Sequence, residues 1–145
     1  MNRRTFLRTT LIAAAATGSN TAMAQPSEVS PSKLPRWRGF NLLEKFIAET
    51  KQPFVERDFA WIRDWGFDFV RLPLDYRCWS QQGDWSKLDE AELKQIDDAV
   101  ALGEKYGVHV NIAFHRAPGY CVNKNPPELV SLWDNEDAQA AFAGH

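Results

Sequence analysis

Apolar residues along this chain follow two rhythms that take turns. Trp37 to Leu42 and Phe67 to Leu72 are short runs dominated by apolar residues, the second rich in aromatic and branched side chains. Each reads as a strand. Between them, Val55, Phe59, Ile62 and Trp65 recur at steps of four, three and three, which predicts one helical face over 55–65, closed by Gly66. After the second strand, which Pro73 is expected to end, a loop runs from Asp75 to Leu88. Asp89 then predicts a helix N-cap, with Glu92 three residues on in near capping-box spacing. Leu93, Ile96, Val100 and Gly103 share a face of that helix, and Gly107 ends it. Val108 to His115 predicts a third strand, and a third helix is expected from about Asn135.

Strand and helix therefore alternate three times, with no other internal repeat. Such spacing implies a parallel sheet with right-handed crossovers. A dinucleotide-binding sheet needs a glycine-rich turn after its first strand. The residues there are Leu42-Leu43-Glu44-Lys45, which exclude it. The third strand is more telling. Val108, Val110, Ile112 and Phe114 point one way, while His109, Asn111, Ala113 and His115 point the other. One apolar face and one small or polar face suit a barrel wall, apolar toward the helices and polar toward the interior. Position then singles out Arg71, at the end of the second strand, and His115, at the end of the third. Barrel active sites sit at the C-terminal ends of strands. Neighbouring strands lie about 4.8 Å apart, so the two side chains are expected to meet over the mouth. A structural ion pair is the alternative role for Arg71.

The first 24 residues break the pattern. Arg3-Arg4-Thr5-Phe6-Leu7-Arg8, a short apolar run from Leu11 to Ala16, and Ala22-Met23-Ala24 before Gln25 read as a removed export signal of twin-arginine type. The run falls well short of the ~20 apolar residues of a membrane span, so no stable membrane anchoring is expected. Residues 25–35, with Pro26, Pro31 and Pro35 among serines, form a linker, and the barrel domain occupies 36–145. Localisation is expected to be periplasmic or extracellular. The whole chain carries a net charge of −2. That gives no electrostatic case for a nucleic-acid partner.

Three segments now take on a meaning together. Arg38-Gly39-Phe40-Asn41, Gly66-Phe67-Asp68-Phe69-Val70-Arg71-Leu72-Pro73 and Phe114-His115-Arg116-Ala117-Pro118-Gly119-Tyr120 resemble glycoside hydrolase family 5, in order and with fitting spacing. The resemblance implies a (β/α)8 barrel, of which this chain holds the first three units. It implies retaining hydrolysis of β-linked polysaccharides, β-glucan foremost. No cofactor or metal is expected, and the full-length protein is expected to be monomeric. It also implies a glutamate acid/base in an Asn-Glu pair after the fourth strand and a glutamate nucleophile after the seventh, both expected beyond His145. By the same resemblance, Arg71 sits beside the nucleophile and keeps it ionised, and His115 hydrogen-bonds the sugar being cleaved. Residues 1–145 alone are expected to be inactive.

Asn135-Glu136 imitates the acid/base pair, but it leads into a helical pattern rather than following an apolar strand, so Glu136 reads as a helix start. Trp79, Trp85, Tyr76 and Tyr120 near the strand ends offer faces for sugar stacking, with core filling as the alternative. His109 and His115 are about 20 Å apart along one strand and cannot hold one ion. Cys78 and Cys121, the only cysteines, follow adjacent strand ends. A disulfide between them is reachable, with two free thiols as the alternative. Rival readings of the whole protein are an exported carbohydrate-binding pseudoenzyme and a β-mannanase or exo-glucanase of the same clan.

Overall fold

A computed structural model describes Ser30 and residues 32–81, 84–123 and 126–145. The expected export signal and most of the linker lie outside the described residues. The elements are β1 (Gly39–Asn41), α1 (Glu56–Asp64), β2 (Phe69–Asp75), a hairpin of β3 (Ser80–Gln81) and β4 (Asp84–Leu88), α2 (Glu90–Tyr106), β5 (His109–Ala117), β6 (Tyr120–Cys121) and α3 (Glu136–Gly144). β1, β2 and β5 are parallel and adjacent in that order, and β6 folds back antiparallel on the end of β5. No helix among the described residues is long and apolar enough to cross a membrane.

Local chemistry sets the helix ends where the sequence places them. The Asp89 carboxylate accepts from the amides of Ala91 and Glu92, two of the donors a helix start leaves open. Gly107 closes α2 at φ 67°, and Gly66 follows α1 at φ 79°, both in the left-handed region that favours glycine. Asn135 caps α3 by accepting from Ala138 N, so Glu136 is the first residue of a helix. Glu92 departs from expectation. Instead of closing a capping box, its carboxylate takes the ammonium groups of Lys45 and Lys51.

The sheet has one helix-covered face. Val70, Leu72, Leu74 and Val108 pack with Phe59 and Ile62 of α1 and Ile96 and Ala99 of α2 in a single cluster. Phe114 meets Phe142 of α3 on the same side, ring centroids 5.7 Å apart. A doubly wound sheet carries helices on both faces, whereas here all three lie on one. This is the wall of a (β/α)8 barrel, three β/α units wide, with β5 as its third strand.

Two strand limits differ from the sequence reading. Pro73 does not end β2, which continues to Asp75 with Pro73 opposite Ala113. Alternate residues of a parallel strand bond to opposite neighbours. Arg71 bonds toward β1, its carbonyl accepting from Leu42 N at 3.0 Å, so Pro73 also faces that side. β1 has already stopped at Asn41. The missing proline N–H therefore breaks no ladder bond. β5 likewise extends past His115 to Ala117, and it does so through a bulge. Pairing runs one to one up to Leu74 with Phe114, then jumps to Asp75 with Arg116, leaving His115 as the extra residue.

Candidate functional site at the strand ends

The concave face is built in rows, because registered residues on parallel strands point the same way. At the bottom, Gly39, Phe69 and His109 align. Trp37 covers them, stacked on His109 at 4.0 Å and 7° and near Phe69 at 5.8 Å. His109 is thus part of an aromatic floor. The next row is polar and crosses all three strands: Asn41, Arg71 and Asn111. Pro73 and Ala113 follow, a low step of small surface that leaves the cleft open above the arginine.

Arg71 is half-buried, and its guanidinium makes no hydrogen bond or ion pair with any side chain among the described residues. His115 is half-buried too. Its ring touches Phe46, centroids 4.8 Å apart at 51°, with no hydrogen bond from the imidazole to another described residue. The two do not meet as expected. Arg71 stands opposite Asn111, and His115 lies four residues further along β5, roughly 13 Å at strand rise. They mark the lower and upper parts of one cleft wall.

The aromatic residues divide differently from the sequence reading. Trp79 is 3% exposed. Its Nε1 donates to His145 Nδ1 at 2.9 Å, and its ring meets Phe114 edge-on at 5.9 Å. It is core, and presents no face to a sugar. Tyr76 is buried, its hydroxyl donating to Glu128 Oε2 at 2.8 Å, with burial and the neighbouring carboxylate raising its pKa. Trp85 is half-buried against the core cluster. Tyr120 is exposed, but it lines an apolar pocket of about 460 Å3 with Phe114, Leu132, Trp133 and Phe142, on the helix side rather than the concave face. Cys78 and Cys121 are both free thiols. Cys78 donates to the Lys45 carbonyl at 3.3 Å, and burial pushes its pKa up to about 12.

A charged cluster above the strand ends was not legible in the sequence. Asp75, closing β2, accepts from Arg77 Nε at 3.0 Å and Nη2 at 2.6 Å, and Arg116 Nε lies 3.7 Å from it. Arg116 also pairs with Glu128 and donates to the carbonyls of Pro126 at 2.9 Å and Asn123 at 3.3 Å. Asp75 and Glu128 are buried carboxylates near the cleft, yet arginines occupy both. A retaining pair needs two carboxyl groups about 5 to 5.5 Å apart flanking open space, and these two serve as anchors. The only sequence signal for the cluster is the position of Arg116 beside His115.

Known proteins resemble this chain in sequence and, for one, in fold. Residues 25–141 match the family described as cellulase, glycosyl hydrolase family 5. The chain is 38% identical over 98 residues to cellodextrinase A of Ruminococcus flavefaciens, covering 67% of this chain and 28% of that protein. It is 35% identical over 76 residues to endoglucanase C of Acetivibrio thermocellus, covering 52% of this chain and 22% of that protein. A crystal structure described as a glycoside hydrolase superposes with a TM-score of 0.67 at 32% identity, over 73% of this chain and 34% of that one. The chain thus spans about a third or less of each of these proteins.

Proposed function

Because the chain belongs to the cellulase family, glycosyl hydrolase family 5, we propose that the full-length protein hydrolyses β-linked glucans, with this wall lining its cleft. Arg71 carries the reading. A half-buried guanidinium is costly without a partner, and the described residues offer it none. A reacting carboxylate held against it would stay ionised, since an adjacent positive charge favours the charged form. That is what a nucleophilic carboxylate in a retaining glycosidase requires. His115, higher on the same wall and with no imidazole hydrogen bond among the described residues, would bond a sugar hydroxyl near the reacting centre.

The resemblance between the cellodextrinase and endoglucanase relatives and this chain supports β-1,4-glucan as substrate. The purified full-length protein should release reducing ends from soluble β-glucan, with the β-anomer appearing first in proton NMR. No release from β-linked glucans or from β-mannan would leave the pseudoenzyme reading in its place; release from β-mannan alone would favour the mannanase reading. We also propose export through Arg3-Arg4 and cleavage after Ala24. N-terminal sequencing of the exported protein should begin at Gln25, and a retained Met1 would refute it.

A further inference from the structure

We propose that Arg116 is a positioning residue of the cleft, pinning the β-bulge that presents His115; this rests on the functional reading above. In an unbroken strand, Phe114 would face the helices, His115 the cleft and Arg116 the helices again. That would put a guanidinium into the apolar layer occupied by Phe114 and Phe142, at high cost. The bulge avoids this. It shifts the register by one residue, so that Arg116 pairs with Asp75 rather than facing the helix layer. A bulge disrupts its ladder locally, so something must hold it.

Arg116 does so from three directions. Its guanidinium reaches Asp75 at the end of β2, Glu128 in the following loop, and the carbonyls of Asn123 and Pro126. Tyr76 braces Glu128 from β2's side. The side chains of Asp75, Arg116 and Glu128 are 2%, 5% and 6% exposed, so solvent competes little for these contacts. The His115 ring rests beside Phe46, and its imidazole makes no hydrogen bond with another described residue. Its orientation is therefore set by backbone on either side of the bulge, and Arg116 fixes one side.

The test uses full-length protein labelled with 15N-histidine, in Arg116→Met, Arg116→Lys and Glu128→Gln forms, alone and with His115→Ala. His115→Ala assigns the resonance. In Arg116→Met the His115 imidazole signal should shift or broaden, while that of His109, on the floor, stays in place. Turnover on β-glucan should fall about 10- to 100-fold, the scale of a small misplacement, with KM nearly unchanged and partial rescue in Arg116→Lys. Adding Arg116→Met to His115→Ala should cost nothing further. An unmoved His115 signal, or losses that multiply in the double variant, overturns the proposal. Should Arg116→Met not fold, Glu128→Gln is read by the same criteria. Should the wild type cleave no β-glucan, the functional reading fails, and the histidine signal alone decides on the clamp.

Discussion

Replacing Gly103 with alanine sets two known effects against each other. Gly103 lies inside α2 where the helix crosses β5, and its carbonyl accepts from Val108 N at 2.8 Å. In a helix interior the substitution alone gains about 1 kcal/mol. Here the new Cβ would lie 2.4 Å from Val110 Cγ2 and 2.7 Å from the Val108 carbonyl oxygen. Carbon atoms pack at about 3.5 to 4.0 Å, so α2 must lift by roughly 1 Å or Val110 must change rotamer. Val110 is β-branched and stiff at χ1. The carbonyl is backbone, and the bond from Val108 N to the Gly103 carbonyl ties it to the end of α2. Overpacking of this kind costs about 1 to 3 kcal/mol, so the net expectation is a loss of about 1 kcal/mol. Urea unfolding of the full-length protein should show a lower midpoint at unchanged slope. Val110→Ala should relieve the methyl contact and leave the carbonyl one. The double variant should then be more stable than the two single losses predict. A raised midpoint in Gly103→Ala would refute the close approach of α2 to β5.

Two smaller predictions follow from the same structure. Asp89→Ala frees two amides at the start of α2 and should cost about 1 kcal/mol in urea unfolding; an unchanged midpoint would contradict the cap. Native alkylation at pH 8 followed by mass spectrometry should label half-buried Cys121 readily and Cys78 hardly at all, because burial holds the Cys78 thiol protonated. A linked Cys78–Cys121 peptide would contradict the free thiols.

Much of the framework was readable because it is local. Asp89, Gly107 and Asn135 act on their own few residues, so a cap or a left-handed turn follows from the residue and its neighbours. The alternation from Val108 to Phe114 gave the two faces of β5 for the same reason. Pro73 failed as a stop signal because its effect depends on whether a neighbouring strand needs its N–H, and β1 ends too early to need it. The bulge at His115 likewise depends on Asp75, forty residues away, meeting Arg116. Trp79 looked available because it lies in the loop just after a strand end. Its burial comes from Phe114 and His145, which only the fold brings near. Arg71 was found by strand position and resemblance, but its row with Asn41 and Asn111 needed the register.

Turnover per folded molecule in full-length Arg71→Ala and His115→Ala, measured on soluble β-glucan beside the melting temperature, bears most directly on whether this wall lines a glycosidase cleft. Both variants should melt close to the wild type, since neither side chain is hydrogen-bonded to another described residue. Turnover should drop by about 100-fold or more in Arg71→Ala, the scale of removing one electrostatic contact at a reacting centre, and clearly in His115→Ala. Near-normal turnover in both, with a lowered melting temperature in Arg71→Ala, would contradict the assignment and make the arginine a structural residue.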